Sequence, residues 1–303
     1  MNYKFILSAF CAISLMACSS EGNGLNSEPK GDDDIENGTE PFDLNVISFN
    51  LRVDNPNDGD YVWGNRKSAV VAMINRESPD VIGMQEAQPH QITYLADRCS
   101  DYGWYGIGRD TGKKPATTDT YASEETAVIF YKKDKFEIED RGTFWLSETP
   151  DTPSKGWDAG YNRTCSWVLL SNIATGGKFY FFNTHLDNSG KKAREESIKL
   201  IVAKIKAINS KELPVFLTAD FNSDTSSKIF APLHDFMDDA REEAPTTDNK
   251  PTYNGYKGTS KKKLDHIFCE DVEAIKSFKT LDGDYGIKYI SDHYPVQARF
   301  VIE

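Results

Sequence analysis

Cysteine is scarce in this sequence of 303 residues, which contains five. Two of them, Cys11 and Cys18, lie near the N-terminus, so the rest of the chain has three widely spaced thiols, Cys99, Cys165 and Cys269. An odd number without Cys-x-x-Cys spacing argues against a disulfide framework and against a thiolate zinc site. We expect these three thiols to be buried as small apolar side chains.

Positive charge is also in deficit, because 47 acidic side chains outnumber 35 basic ones and give a formal net charge of −12. Such a surface repels polyphosphate backbones except where basic side chains cluster. We therefore do not expect the protein to bind duplex nucleic acid. A small phosphorylated ligand remains compatible with this charge, since a bound divalent cation can invert the local field.

No apolar run is long enough to cross a bilayer, and the longest candidate, residues 5–16, follows a short basic start. It ends in Leu15-Met16-Ala17-Cys18, which resembles a bacterial lipoprotein processing site; an ordinary cleaved signal is the alternative. Residues 1–17 are thus predicted to be a signal peptide, with Cys18 lipidated and the protein anchored to a bacterial membrane, facing the periplasm or the cell surface. Residues 18–42 are acidic and almost without apolar side chains, which predicts a flexible tether.

From residue 43 onward, apolar runs of strand length alternate with helical periodicity, which predicts one α/β domain over residues 43–303. The opening is a βαβ unit at residues 44–51, 66–76 and 80–85. Predicted strands follow at 127–131, 136–146, 165–170 and 178–184, then a helix at 191–209 and strands at 213–219, 264–269 and 294–301. Strands paired in the middle with helices at both flanks favour two packed sheets with helices outside.

Six predicted strands or loops end in hydrogen-bonding side chains, and pockets form where rigid strands pass into loops. Glu86 closes an apolar strand, where an ionised carboxylate needs a cation or a donor; Mg²⁺, which prefers oxygen ligands, satisfies that need. Taken alone, such a glutamate is more often a surface carboxylate. Asp220 and Asn222 lie two residues apart, so they can address one water and one phosphoryl oxygen. An Asx turn is the alternative for that pair.

Two of the five histidines, His185 and His293, lie beside acidic residues. A carboxylate partner keeps an imidazole charged and oriented, which suits it to bind a phosphoryl oxygen. The alternative is a surface histidine in an ordinary ion pair, and we prefer it for His266, which points to the opposite face from Asp265. The same interpretation applies to the histidines at positions 90 and 234.

The polar segments, taken in chain order, resemble those of the endonuclease/exonuclease/phosphatase family. They are Ser48-Phe-Asn50, Pro79-Asp-Val-Ile-Gly-Met-Gln-Glu86, Asn183-Thr-His-Leu186, Thr218-Ala-Asp-Phe-Asn222, Leu264-Asp-His-Ile267 and Ser291-Asp-His293. Each segment is short, but the combination is specific and spans residues 43–303. The resemblance implies a four-layered α/β/β/α sandwich of two mixed sheets with helices outside. The residues around 50–67 and 143–150 resemble a bacterial exported subgroup.

The resemblance also implies a metal site formed by Glu86 with help from Asn50 and Asp292. The implied ion is Mg²⁺, with Mn²⁺ as the alternative. Asp220 aligns or deprotonates the attacking water in this scheme, and Asn222 contacts the phosphoryl group.

His293, oriented by Asp265, binds the phosphate in the same scheme, and His185 does so from the other side. Weaker matches imply that Glu125 orients His185 and that Arg163 contacts phosphate. Glu125 and Arg163 are equally compatible with a strand-edge carboxylate and a solvated arginine.

Three positions depart from the family pattern. Ala219 replaces a glycine, which is a small change. Gln88 and Ser123 stand where secreted deoxyribonuclease relatives carry an arginine and a tyrosine. Both losses weaken the case for a DNA-binding groove, since duplex binding depends on basic and aromatic contacts.

The predicted function is metal-dependent hydrolysis of a phosphate ester, either a phosphodiester or a phosphorylated small molecule, by in-line attack of water. Three alternatives remain open. A nuclease for single-stranded or short nucleic acid needs a basic groove, for which the candidates are Lys191, Lys192, Arg194 and residues 261–263. A phospholipid or sphingolipid phosphodiesterase needs an exposed apolar loop. A non-enzymatic surface lipoprotein could bind glycans through aromatics such as Trp63, Trp145 and Trp157.

Overall fold

The computed structural model describes residues 40–117, 123–224 and 226–303. The predicted signal peptide, the lipidation site at Cys18 and the tether as far as residue 39 lie outside the described residues. The first strand begins at Phe42, next to the expected start of the domain. None of the helices in the described part of the chain combines the length and apolar character needed to span a bilayer.

The described residues form twelve strands in two six-stranded sheets. The strands are β1 Phe42–Asn50, β2 Val81–Ala87, β3 Tyr102–Tyr105, β4 Thr126–Lys132, β5 Phe136–Trp145, β6 Thr164–Asn172, β7 Lys178–His185, β8 Val215–Asp220, β9 Asp238–Asp239, β10 Asp265–Glu270, β11 Ala274–Thr280 and β12 Val296–Ile302. The first sheet has the order β11-β12-β1-β2-β4-β3, and the second has the order β5-β6-β7-β8-β10-β9. Each sheet is mixed, because β1 pairs with β2 and β7 with β8 in parallel while the other pairs are antiparallel.

Helices cover the outer faces of both sheets. They are α1 Trp63–Glu77, α2 Pro89–Arg98, α3 Lys191–Ile208 and α4 Ala231–His234; the short α5 Ala240–Glu243 instead packs its buried Ala240 into the cluster between the sheets. One apolar cluster joins α1 and α2 to the first sheet, a second lies between the sheets, and a third joins α3 and α4 to the second sheet. Three apolar layers between four structural layers confirm the predicted α/β/β/α sandwich.

The predicted strands and helices are confirmed within a few residues, and the predicted apolar face of α1 is buried. The short helices α2, α4 and α5, the edge strands β3 and β11 and the two-residue strand β9 were not predicted. The pattern of β11, Ala-Ile-Lys-Ser-Phe-Lys-Thr, is interrupted by a register shift between Ile275 and Ser277, so alternation is weak there. Helix α2 begins with Pro89 and has only two buried aliphatic residues, Ile92 and Leu95.

Candidate active site

The site forms because polar side chains continue the inner face of several strands. In β1, Leu44 and Val46 pack between the sheets whereas Ile47 and Phe49 pack on the helices. Side chains alternate along a strand, so Asn50 belongs to the same inner face as Val46. The same parity gives Asn183 and His185 in β7, Thr218 and Asp220 in β8, and Asp265 in β10. The inner face of the sheets is therefore apolar in the middle of the sandwich and polar at the end where these side chains lie.

Glu86 reaches the same place through an irregularity in its strand. Ile82 and Met84 pack towards the helices, so simple alternation would direct Glu86 to that outer face. The register between β2 and β4 shifts between Met84 and Ala87, and Glu86 has a left-handed φ of 60°. A bulge of this kind redirects a side chain, and here Asn50 Nδ2 donates to Glu86 Oε1 at 3.0 Å.

Asn50 connects the two sheets at the site. Its Nδ2 also donates to Asp220 Oδ2 at 2.9 Å, while its Oδ1 accepts from the backbone N–H of Arg52 at 2.9 Å. In this arrangement Asn50 serves Glu86 and Asp220 as a hydrogen-bond donor, and its oxygen is already engaged. Burial, with a contribution from Asp265, raises the pKa of Asp220 to about 7 even though His293 opposes the shift.

Two arginines hold the loop that follows β1. The buried Arg66 donates to the carbonyl oxygens of Leu51 at 2.5 Å and Arg52 at 2.6 Å. Arg52 makes a paired contact with Asp58, with two nitrogen-to-oxygen distances of 3.0 Å. Its remaining terminal nitrogen, Nη1, lies 3.8 Å from Asp292 Oδ2 and faces the cleft. Burial raises the pKa of Asp292, because Arg52 and His293 compensate its charge only in part.

His293 is held as a cation by Asp265. Its Nδ1 lies 2.8 Å from Asp265 Oδ2, both side chains are almost fully buried, and Nε2 lies 3.8 Å from Asp220 Oδ2. Burial alone would lower the pKa of His293, but the charges of Asp265 and Asp220 outweigh it and raise the pKa well above its usual value. The predicted pairing of His293 with Asp265 is therefore present.

His185 has a different environment from the one predicted. Arg163 Nη1 lies 2.8 Å from His185 Nδ1, whereas Glu125 Oε2 is 3.8 Å from that nitrogen, beyond hydrogen-bond distance. Glu125 instead binds Arg109 at 2.5 Å and lies 3.8 Å from Arg163, so it acts on His185 through arginine. Burial, together with the Arg163 charge, holds the pKa of His185 well below its usual value, so this imidazole is neutral.

Asn222 completes the group around Asp220. Its backbone N–H donates to Asp220 Oδ1 at 2.8 Å, in the Asx turn weighed as an alternative, and its Nδ2 lies 2.9 Å from His185 Nε2. His185 Nε2 is in turn 3.4 Å from Asp220 Oδ2. The turn and the predicted role are compatible, because the turn is what directs the Asn222 amide towards the cleft.

A cleft of about 380 Å³ opens over these groups and is lined by Glu86, Glu125, Arg163, His185, Asp220, Asn222, Asp292 and His293, together with Arg52, Tyr161, Asn188, Tyr253 and Lys262. The aromatic walls differ from the expected ones. Trp63 and Trp145 are buried in the body of the protein, and Trp157 is not among the lining residues. Tyr161 and Tyr253 line the cleft instead.

His266 does face away from the site, but the expectation of a surface position is wrong. It is 2% exposed and its Nδ1 lies 2.8 Å from Asp239 Oδ2. Asp239 belongs to the two-residue strand β9, which pairs with β10 at the edge of the second sheet. His90 fits its expected role, an exposed ion pair with Asp54. The three described cysteines are buried free thiols, as predicted.

Comparison with known proteins agrees with this geometry. Residues 47–293 match the sequence model of the Endonuclease/Exonuclease/phosphatase family. The chain belongs to this family. Its members are hydrolases that act on phosphate esters.

Solved structures of family members superpose closely on this chain. A family protein from Bacteroides thetaiotaomicron is 35% identical, with a TM-score of 0.81 over 88% of this chain and 97% of that chain. The mannosyl-6-phosphatase Bt3783 of Bacteroides thetaiotaomicron is 36% identical, with a TM-score of 0.79 over 85% of this chain and 99% of that one. Protein L388 of Acanthamoeba polyphaga mimivirus, described as uncharacterized, is 28% identical over 254 residues, which cover 79% of this chain and 92% of that protein.

The donor set fits the divalent cation that the family uses. Glu86 and Asp292 lie close enough for the charge of Glu86 to raise the pKa of Asp292, so negative charge accumulates there without full compensation. Carboxylate oxygens in that state suit a hard cation such as Mg²⁺. Two further groups could hold an ion, Glu86 with His185 and Asp220, and Asp220 with Asp265 and His293.

Several site residues were missed from the sequence. Arg109 binds Glu125, and Tyr161 and Tyr253 line the cleft. All three lie in loops between strands, where neither alternation nor motif spacing carries a signal. Lys262, considered from the sequence as part of a basic groove, lines the cleft as well. Arg52 lies within the segment 50–67 that resembles the exported subgroup, and its position two residues after Asn50 was the available signal.

Proposed function

We propose that the protein is a divalent-metal-dependent phosphatase that hydrolyses a phosphorylated small molecule, such as a sugar phosphate, by direct attack of water. The observation that supports this most is the convergence of two histidines on one carboxylate. Asp220 Oδ2 lies 3.4 Å from His185 Nε2 and 3.8 Å from His293 Nε2, at the floor of a cleft. Asp220, His185 and His293, which can each donate or accept a proton, therefore surround the same part of the cleft.

Asp220 is suited to orient the attacking water and accept its proton, because a pKa of about 7 allows both protonation states near neutral pH. His293, kept charged by Asp265, would stabilise negative charge on a phosphoryl oxygen. The neutral His185 would contribute a polar contact from the other side, oriented by Arg163. No covalent enzyme intermediate is required.

Glu86 and Asp292 would hold the metal ion, with Asn50 fixing the Glu86 carboxylate. When bound there, Mg²⁺ or Mn²⁺ would neutralise charge on the phosphoryl and leaving oxygens. Val53 donates its backbone N–H to Glu86 Oε2 at 3.0 Å, so both oxygens of Glu86 are already oriented by the protein.

A small substrate fits the charge and shape of the cleft better than a polynucleotide does. Of the six basic residues considered for a nucleic-acid groove, Lys262 alone is among the residues that line the cleft. The net charge of −12 opposes long-range attraction of a polyanion. The 36% identical relative that is a mannosyl-6-phosphatase supports a phosphorylated sugar as the substrate class.

Export and lipid anchoring are part of the proposal, on the strength of the apolar segment that ends in Ala17-Cys18. A Cys18→Ser variant is expected to move from the membrane fraction to a soluble fraction, or to retain its signal peptide. Equal membrane retention of the wild type and of a Cys18→Ser variant that has lost its signal peptide would show that Cys18 is not the anchor.

The catalytic proposal is tested with residues 40–303 against sugar phosphates, phosphodiesters, a lipid phosphodiester and single-stranded oligonucleotides, with Mg²⁺ or with EDTA. Asp220→Ala and His293→Ala are expected to lower turnover on the order of a hundredfold or more. Asp224→Ala and His90→Ala are matched controls, because both residues lie outside the cleft and are expected to leave turnover intact.

Turnover that resists EDTA, or that survives both active-site variants, would contradict the mechanism. A preference for oligonucleotides or for the lipid would replace the substrate class and leave the mechanism in place. Absence of turnover on the whole panel would favour the glycan-binding alternative.

A further inference from the structure

Tyr161 has an exposed aromatic side chain at the mouth of the cleft. It is 53% exposed, and among the described residues only Ile173 is a comparably exposed large hydrophobic side chain. Single exposed hydrophobic residues are common and do not by themselves indicate a binding site. Ile173 is such a case, since it follows β6 at the end away from the site, whereas Tyr161 lines the cleft just before β6 begins.

Two arginines contact the ring of Tyr161. The guanidinium carbons of Arg109 and Arg163 lie 5.0 and 5.7 Å from the ring centroid. Both arginines also contact Glu125, at 2.5 and 3.8 Å, so their positions are fixed independently of the tyrosine. Cation–π contacts with two anchored guanidinium groups restrict the ring to one place.

The backbone at Tyr161 is fixed as well. Its N–H donates to Asp187 Oδ2 at 3.3 Å, and the N–H of Gly160 donates to Asp187 Oδ1 at 3.1 Å. Asp187 is almost fully buried and follows His185 by two residues. The exposed ring therefore has a set position relative to His185, beside the place where the phosphoryl group is proposed to bind.

We propose that Tyr161 is the platform for the leaving group of the substrate, and that this group is a hexopyranose ring. The inference rests on the proposed phosphatase function. An immobile aromatic surface binds a ring with an apolar C–H face at small entropic cost. Asn188 and Lys262 line the same cleft and offer donors and an acceptor to sugar hydroxyls. The volume of about 380 Å³ accommodates one phosphorylated monosaccharide.

Tyr253 does not compete for this role. Its ring packs on His293 in an edge arrangement, with centroids 5.0 Å apart, and its backbone forms a bridge with His293. It is thus a positioning residue for that histidine. A nucleobase could stack on the same face of Tyr161 through its flat aromatic ring. The experiment must therefore distinguish a sugar ring from a nucleobase.

The test compares Tyr161→Ala and Tyr161→Phe with the wild type on a hexose phosphate, a nucleoside monophosphate and glycerol phosphate, which has no ring. We expect Tyr161→Ala to lose on the order of tenfold in kcat/KM for the hexose phosphate, mainly through KM, which is at the low end of the effect of removing an aromatic side chain that stacks on a nucleic-acid base. The loss on glycerol phosphate should be several times smaller, and Tyr161→Phe should restore most of the activity. Ile173→Ala is the matched control for removal of an exposed hydrophobic side chain.

A second measurement separates this inference from the catalytic proposal. Hexose phosphate binding to an Asp220→Ala protein is measured by calorimetry, with Tyr161 intact and with Tyr161→Ala. Weaker binding in the double variant supports the platform even if turnover is absent on all three esters. Equal losses on all three esters would overturn it in favour of a structural role in holding Arg163, and a loss confined to the nucleotide would overturn the choice of a sugar.

Discussion

Asp187 connects the stability of the domain to the shape of the cleft, and its replacement by asparagine gives a sharp prediction. One carboxylate oxygen accepts the backbone N–H groups of Gly160, Ser189 and Gly190, at 3.1, 3.0 and 2.7 Å. The other accepts from Tyr161 N–H at 3.3 Å and from Arg163 Nε at 3.5 Å. The two loops that these bonds join carry cleft residues on both sides of His185.

Asparagine has the same shape but only one acceptor atom. If its oxygen keeps the three stronger bonds, its NH₂ group must face the donors of Tyr161 and Arg163. Leaving the buried Arg163 Nε without an acceptor costs about 1–3 kcal/mol, and the partly buried Tyr161 N–H adds about 1 kcal/mol, so Asp187→Asn should lose about 2–4 kcal/mol of unfolding free energy. For a domain of this size that corresponds to a fall in Tm of about 4–8 °C.

The pH dependence follows from the same contacts. Burial would raise the pKa of Asp187, but the N–H groups of Gly190, Gly160 and Ser189, with the charge of Arg163, outweigh it and lower the pKa below 3.8. A group with a depressed pKa stabilises the fold above its unfolded pKa and loses that effect as the pH falls through the folded value. The gap between wild type and Asp187→Asn should therefore be constant above about pH 5 and shrink at lower pH.

Thermal and denaturant unfolding between neutral and acidic pH measure this gap, with Asp158→Asn as the control. Asp158 lies in the same loop as Tyr161 and accepts from the backbone N–H groups of Lys192 and Ala193 at the start of α3, but its carboxylate is exposed and its hydrogen bonds go to α3 rather than to Tyr161 or Arg163. We expect the control to lose less stability and to keep its activity, whereas Asp187→Asn should lose activity because Tyr161 and Arg163 are released. A Tm for Asp187→Asn equal to that of the control, or a gap that widens at low pH, would refute the reasoning.

Three further predictions concern charges around the cleft and behind it. Asp265→Asn should lower the pKa of His293, which NMR titration reports, and reduce kcat on the order of a hundredfold; an unchanged pKa would contradict the assigned pair. Arg52→Met should tighten Mg²⁺ binding about tenfold in calorimetry, because it removes a cation 3.8 Å from Asp292; weaker binding would show that Arg52 supports the metal site. Asp239→Asn should cost about 3 kcal/mol of stability by breaking its buried pair with His266, with kcat retained; a large loss of kcat would connect that pair to the site.

The sequence predicted the sandwich because apolar alternation and helical periodicity are local signals. It also predicted most of the residues that line the cleft, since each follows an apolar strand at a short, fixed spacing. Asn50, Asp220 and Asp265 reach the site by simple alternation along their strands. Glu86 does not, and only the motif placed it correctly, because the bulge that redirects it leaves no trace in the apolar pattern.

What the sequence could not predict depends on contacts between distant loops. Arg163 occupies the position beside His185 that the sequence assigned to Glu125, because the Glu125 carboxylate forms its ion pair with Arg109 instead. Arg109 comes from the segment between β3 and β4, and its position depends on the packing of both sheets. The burial of His266 similarly depends on β9, a strand of two residues that has no periodicity of its own.

The glutamine that stands in place of an arginine two residues after Glu86 has a structural use, and this bears on the substrate. Gln88 Oε1 accepts from the backbone N–H of Asp54 at 2.8 Å, and its Nε2 donates to the carbonyl oxygen of Ser123 at 2.9 Å. The same residue caps α2 through a reciprocal pair with Gln91. Its amide is therefore committed to joining three segments behind the cleft and has no free group to reach a nucleic-acid backbone. At the position where the resemblance implies a DNA-contacting arginine in deoxyribonucleases, this chain has a side chain that holds the loop that carries Arg52, which is consistent with a compact cleft for a small phosphate ester.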